Sequence, residues 1–529
     1  ADAVSVSKSL YNISALDGTP EGNLIPYNIG YAYFSLGDYS QAVKWFNEYA
    51  RQQNGAYTRN STDFRKDALT RVADCSFIQG DYKTAALSYG EVADSYYDPD
   101  DIYPYWQAAV AYGLDGKLKK KIERLREVKD ANPESEHYAP AMLDLGRSYV
   151  ENKDAKSASD CFDLVVEGVK DSSYVAQALL EKAMMARNAK RKEEALGYYK
   201  RVAENMTGTE YADNALLAIE SIYQSEGRAK DYLAYIENIG KGGFKTEEEK
   251  DDLYFASAEQ LFLDRQYDKA RVTLGEYLNA WPSGRSRDKA EYYIAECYRL
   301  SGDYERARDA YEGVIDKGEG LFVEASMLRY AELSYKLEHW QEAYLAYTSL
   351  YGKVSSADTG KTALVGRMRS AYRARLYPEA ENCAASVIVS EAPSVELLRE
   401  AEYVRAKSLL SLSRRDAAYE LFTKLSKNPT DRYGAEAEYL LVQDKFDRAE
   451  YKAVEDLVYA FSDSGTKQNY WLARAFLVLG DAFAEQGDLR QAKATFESVR
   501  DGYSPVSDTD DVPDNVKMRL ERLAEMGEK

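Results

Sequence analysis

A short phrase, Gly-Asp-Tyr-x-x-Ala, returns along the whole chain, and no other feature restricts the fold as much. It reads Gly37-Asp38-Tyr39-x-x-Ala42, Gly80-Asp81-Tyr82-x-x-Ala85 and Gly302-Asp303-Tyr304-x-x-Ala307, with looser copies at Gln266-Tyr267-x-x-Ala270, Leu376-Tyr377-x-x-Ala380 and Gly487-Asp488-Leu489-x-x-Ala492. Weaker copies are anchored by Ala158, Ala195, Ala343, Ala418 and Ala449, and Lys121 and Tyr232 fill the two remaining gaps. The thirteen anchors lie about 37 residues apart, except for an opening step of 43 and a closing pair of 31 and 43. The opening excess falls in the polar stretch Arg51 to Thr62. The closing pair spans two periods, so either the twelfth unit is internally shifted or Ala449 is not its anchor. A module of this length, repeated end to end, buries its apolar face only by stacking on its neighbours.

Each unit carries two amphipathic helical patterns separated by the Gly-Asp turn. Gly takes a positive φ after the first helix and Asp caps the second, which makes a helical hairpin. Twelve residues before each anchor stands a small residue: Gly30, Ala73, Ala109, Gly146, Ala183, Ala258, Ala295, Ala331, Ala406, Ala437 and Gly480, with Glu220 and Met368 as the exceptions. Four residues after the anchor stands a bulky one, among them Phe46, Tyr89, Phe162, Tyr199, Tyr311, Tyr347, Phe422 and Phe496. Two helices approach within about 8 Å only where one of them is small, so small is expected to face large.

A chain of 529 residues would ordinarily divide into three or four globular domains, and the repeat removes that need. Lys plus Arg number 69 against 89 Asp plus Glu, and the net charge of -20 repels nucleic-acid phosphates and anionic lipid. No apolar run reaches the eighteen or so residues needed to span a bilayer. Cys75, Cys161, Cys297 and Cys383 form no C-x-x-C pair, and whole units separate them, so they read as small buried hydrophobes. The two histidines, His137 and His339, lie far apart, and no strand precedes a Gly-rich phosphate loop. No enzyme, metal site or cofactor is expected.

The phrase, with Gly or Ala on the first helix, Tyr near its end (Tyr33, Tyr149, Tyr298), an aromatic after the anchor and Pro at some unit boundaries (Pro133, Trp281-Pro282), resembles the tetratricopeptide repeat. The segment Glu136 to Tyr149 is similar to repeats of bacterial envelope proteins of the Tol-Pal coordinator and outer-membrane assembly lipoprotein type. The resemblance implies an all-α fold, a right-handed α-solenoid of about thirteen hairpins, that binds proteins and does not catalyse. It further implies that first helices line a concave groove, into which the position after each small residue points. That position reads Tyr31, Asp74, Val110, Arg147, Met184, Ser221, Glu259, Glu296, Glu332, Arg369, Lys407, Glu438 and Asp481. Three acids in succession (Glu259, Glu296, Glu332) precede a basic block of Arg369, Arg373 and Lys407, a pattern suited to a partner of complementary charge. Tyr27, Tyr31, Phe34, Trp106, Phe255, Tyr292, Tyr335 and Tyr372 fall on the same side, as binding anchors or as packing residues.

Expected boundaries are an N-terminal cap or the end of an earlier repeat over 1–22, repeats one to six over 23–240, repeats seven to thirteen over 241–503, and an acidic linker with a capping helix over 504–529. Three glycines at 240–243 mark a candidate hinge. The chain opens on Ala1, not Met, and a preceding leader or further repeats are expected. The leading function is a scaffold that holds extended or helical segments of other proteins, with neither nucleic acid nor membrane insertion, in the periplasm or at the outer membrane. A cytoplasmic location is the alternative. A structural spacer or oligomerisation module of an envelope complex is the alternative function.

Overall fold

The computed structural model describes residues 2–53, 59–354 and 356–527, so residues 54–58 of the opening insertion lie outside it. Every regular element among the described residues is helical. The chain divides into two compact units, Ala1–Thr246 and Glu247–Lys529, against the expected boundary after 240.

The hairpins follow one plan. Helix Ile25–Ser35 is followed after three residues by Tyr39–Gln52, so the two run antiparallel, and the same pairing recurs from Tyr138–Glu151 with Ala155–Gly168 to Asn469–Glu485 with Leu489–Gly502. Consecutive helices pack on one another in chain order within each unit. The side chains of Asp38, Asp81, Asp154, Asp303 and Asp488 each accept a hydrogen bond from the backbone N–H three residues on, which caps the second helix.

The turn supplies the sharpest register mark. Gly37, Gly80, Gly116, Gly227, Gly302 and Gly487 have φ between 72° and 87°, and Lys153, Lys190, Arg265, Glu338, Arg375, Ser413 and Ala449 adopt φ between 56° and 66° at the equivalent place. Thirteen left-handed residues thus stand at this hairpin position, 36 to 38 apart after the first step of 43. Seven of them bear a side chain, although that conformation costs about 1–2 kcal/mol for an L-residue. The geometry of the turn is kept even where its glycine is not.

This mark corrects the twelfth unit. Ala449 is the exposed turn residue, and the second helix Tyr451–Asp463 begins only after it. The packed anchor, five residues past the turn as in every other hairpin, is Val454, which restores steps of 36 and 38. The opposing position is therefore Val442 in place of Ala437, and the position after it is Gln443 in place of Glu438. Sequence pattern chose Ala449 because a small residue there imitates the anchor.

Small does face large. A Cβ on Gly30 would lie 2.6 Å from the Phe46 ring, one on Gly146 2.4 Å from Phe162, and one on Gly480 2.4 Å from Phe496. Phe46, Phe162, Phe422 and Phe496 are buried, as are Tyr89 and Tyr311. The two exceptions are compensated locally. Tyr232 and Glu220 replace a small pair together, with Lys245 Nζ 3.0 Å from the Glu220 carboxylate, and Gly366 opens the space for Tyr347 that Met368 does not. All four cysteines are free and buried, and burial pushes Cys75 and Cys161 up to about 11 and Cys297 up to about 12.

At the N-terminal end, helix Asp2–Tyr11 packs on Ile25–Ser35 and sets Tyr11 edge-on to Trp45 at 5.2 Å. At the other end, helix Val512–Gly527 buries Val516 and Leu523 against the last hairpin.

Candidate partner-binding cleft on the first helices

Within the unit Glu247–Lys529, one cleft of about 480 Å³ is lined only by first helices, from five successive hairpins. Helix Val323–Lys336 contributes Tyr335, and Ala357–Arg373 contributes Arg369, Tyr372 and Arg373. Val395–Ser411 contributes Glu400, Tyr403 and Val404, Arg432–Asp447 contributes Arg432, Tyr433 and Glu436, and Asn469–Glu485 contributes Trp471. A second cleft shares Tyr335 and Arg369 with it and reaches Glu332. The volume falls within the roughly 300–1,000 Å³ usual for ligand sites.

The repeat explains this assembly. A period near 37 returns each first helix to the same orientation relative to its neighbour, so equivalent positions form rows. Tyr335 and Tyr372 occupy one row, four residues after the small position, and Tyr403 belongs to another, three residues before it.

The carboxylates of the cleft are already engaged. Glu400 accepts two hydrogen bonds from Arg369, at 2.8 and 2.7 Å, a bidentate pair that raises the guanidinium pKa further. Glu436 accepts from the Tyr403 hydroxyl at 2.7 Å and from Lys407 Nζ at 2.7 Å. Burial, and then the Glu436 charge, push the Tyr403 hydroxyl above its ordinary range, so it stays a donor. Arg373 instead lies 5.0 Å over the Trp340 ring, and Arg432 lies 4.5 Å over Tyr433 and donates to its hydroxyl.

Five of the expected site residues, Glu332, Tyr335, Arg369, Tyr372 and Arg373, therefore meet in these two adjoining clefts, and Lys407 supports them through Glu436. The others do not join them. Glu259 is held by Lys289 at 2.6 Å and Tyr293 at 3.1 Å. Glu296 is buried: burial alone would raise its carboxyl, but hydrogen bonds from Arg299 and Tyr311 hold it below the ordinary range. Tyr31 donates to Asp67 at 2.6 Å and packs edge-on to Phe46, and Arg147 pairs with Glu181 at 2.6 Å.

Asp74 repeats the Glu296 arrangement, accepting the hydroxyl of Tyr89. An acid after the small position, followed fifteen residues later by Tyr, is in these two hairpins an internal hydrogen bond. Of the two histidines, His137 stacks on Trp106 at 5.3 Å and His339 lies 3.2 Å from Glu342.

Sequence reasoning missed Glu400, Tyr403, Arg432, Tyr433, Glu436 and Trp471. Tyr403 carried a usable signal, since it shares its register with Tyr27, Trp106, Phe255 and Tyr292. Arg432, Tyr433 and Glu436 lie in the unit whose anchor was misplaced.

Family models described as tetratricopeptide repeat match residues 27–53, 289–317 and 474–504. A curated relative, the TPR repeat-containing protein YpiA of Bacillus subtilis (strain 168), is 27% identical over 184 residues, which is 35% of this chain and 39% of that protein. Among solved structures, one titled Naa15/Naa10 bound to HypK-THB is 14% identical, with 99% of this chain and 88% of that chain covered and a TM-score of 0.33. Yeast Tom70 is 12% identical, with 96% of each chain covered and a TM-score of 0.28. A tetratricopeptide repeat protein from Parabacteroides merdae is 14% identical, with 51% of this chain and 98% of that chain covered and a TM-score of 0.29. The first, eighth and thirteenth hairpins thus carry tetratricopeptide repeats, and the other ten share their left-handed turn and their spacing.

Proposed function

We propose that the chain is a non-catalytic scaffold whose first-helix face holds extended or helical segments of partner proteins. Tetratricopeptide-repeat proteins are generally protein-interaction scaffolds, and the repeat is typically non-catalytic. The observation that carries the reading is the cleft built from five successive first helices, with Tyr335, Tyr372, Tyr403, Tyr433 and Trp471 along it. Tyr, Trp and Arg are the residues on which binding energy concentrates in protein interfaces.

A photoreactive residue in place of Tyr372 tests this. It is expected to crosslink a protein from a lysate of the source organism, whereas the same residue in place of Leu345, exposed on the second helix Trp340–Lys353, is expected to capture none. Equal capture from both positions, or capture only from Leu345, sinks the groove reading.

The alternative, a spacer or oligomerisation module, is favoured by the exposed apolar residues Leu36, Ile78, Leu114 and Val150, which recur near the turn end of first helices. Concentration-dependent self-association abolished by Leu36→Ser with Leu114→Ser would support it. The proposal extends to a bacterial envelope assembly, periplasmic or outer-membrane-associated with the cytoplasm as the alternative. It rests on the likeness of the segment Glu136 to Tyr149 to envelope-protein repeats, and cell fractionation tests it. No described helix is long and apolar enough to cross a membrane.

A further inference from the structure

Of the charged side chains lining the five-helix cleft, Glu400 and Glu436 are each consumed by pairs within the protein, Glu400 by Arg369 and Glu436 by Tyr403 and Lys407. Arg373 and Arg432 are different. Both are exposed, both project into the cleft, and neither forms an ion pair with a described residue within 4.0 Å. Each sits over an aromatic ring, which restrains the guanidinium, and apart from the one N–H that Arg432 gives to the Tyr433 hydroxyl no described carboxylate takes up its N–H groups. Two unspent guanidinium groups in one cleft run against a chain whose net charge is -20, where a surface patch drawn at random would be acidic.

From this charge complementarity we infer that the cleft takes an acidic peptide segment, two of whose carboxylates engage Arg373 and Arg432 while an aromatic or long apolar side chain between them packs on Tyr335, Tyr372 and Trp471. The inference deepens the scaffold reading and rests on it. Guanidinium groups pair bidentately with carboxylates, and preorganisation on Trp340 and Tyr433 lowers the ordering cost of binding. Glu400 and Glu436, each already accepting two hydrogen bonds from neighbouring side chains, have their charge offset within the protein and offer a basic segment less than the two arginines offer an acidic one. Arg369 and Lys407, already neutralised, hold the walls.

The experiment uses the full chain and a phage-displayed library of random short peptides. Peptides recovered on the wild type are synthesised with a fluorophore and measured by anisotropy against wild type, Tyr372→Ala, the pair Arg373→Glu with Arg432→Glu, and the milder pair Arg373→Gln with Arg432→Gln. Circular dichroism melts check each fold, and the glutamine pair serves if the glutamate pair unfolds. Support requires that peptides lost on Tyr372→Ala are rich in Asp and Glu and weaken roughly tenfold or more on charge removal, the scale of one lost charge-assisted contact. They must weaken equally when their own acids become Asn and Gln, and bind less tightly as salt rises. If Tyr372-dependent peptides are neutral or basic, or ignore the arginine changes, the inference is overturned while the scaffold reading stands. If no recovered peptide depends on Tyr372, both fall together.

Discussion

The last two hairpins, side by side in one unit, solve the same packing problem in opposite ways. In the thirteenth, Gly480 gives up its side chain so that the Phe496 ring fills the whole space between helices. In the twelfth the three equivalent positions are Val442, Val454 and Val458, all fully buried, so the same space is filled by branched side chains of middling size from both helices. What the two share is the burial of the contact and the left-handed turn at Gly487 or Ala449, not the type of residue. One ring against one glycine concentrates the contact at a point. Three valines spread it.

The contrast can be broken most forcefully at its large partner. Phe496→Ala is expected to cost about 3–5 kcal/mol, read as a lower denaturation midpoint, because no neighbour can collapse into the space of the ring. Gly480→Ala follows at about 2 kcal/mol, since its new Cβ would meet the ring at 2.4 Å. Adding Phe496→Leu is expected to return most of that loss in a double-mutant cycle. As a control, Gly275→Ala, in a helix with no atom within 4 Å of the added Cβ, is expected to stabilise by about 0.5–1 kcal/mol. In the valine hairpin, Val454→Ala is expected to cost about 1.5 kcal/mol, less than the ring because the loss is shared.

Ala449→Gly separates the two assignments of the twelfth unit by sign. A packed helical anchor would lose about 1 kcal/mol, whereas a left-handed turn residue gains about that much, and thermal melts are expected to show the gain.

The smallest effect is pH-dependent. Burial raises the Glu438 carboxyl above its ordinary range, with a hydrogen bond accepted from the Ser426 hydroxyl opposing it. The folded form therefore holds this proton more tightly than the unfolded one. The stability it confers is complete below the ordinary glutamate range and is lost as pH rises through the native value. Glu438→Gln is expected to stabilise the fold at pH 7–8 by less than about 1 kcal/mol, read as a higher melting temperature, and to change little near pH 4.

The fold was legible because it is written redundantly. Gly30 with Phe46, Gly146 with Phe162 and Gly480 with Phe496 could be paired from spacing alone, and each pair is in contact. The twelfth register was not legible, since an exposed alanine in a turn and a buried alanine in a helix are the same letter, and the valines that replaced the true pair carry no small-against-large signal. The site was half legible. The family resemblance, extended by helical spacing, put Tyr335, Arg369, Tyr372 and Arg373 on the groove side, and they do line one cleft. Spacing could not show that Glu296 is spent on Tyr311 and Arg299, because that depends on which hydroxyl and guanidinium approach it in three dimensions. Nor could it show which arginines of the face were left without a carboxylate.

The left-handed turns have a mechanical consequence. Because every turn fixes the phase of its own hairpin, an error in length is absorbed where it arises, and the six extra residues of the opening step leave all later spacing intact. A chain organised in this way has no single breaking point. Pulled from its two ends, it would yield in discrete increments, each releasing one hairpin of about 37 residues and roughly 120 Å of slack contour, so that load is shed in instalments before the whole array gives way.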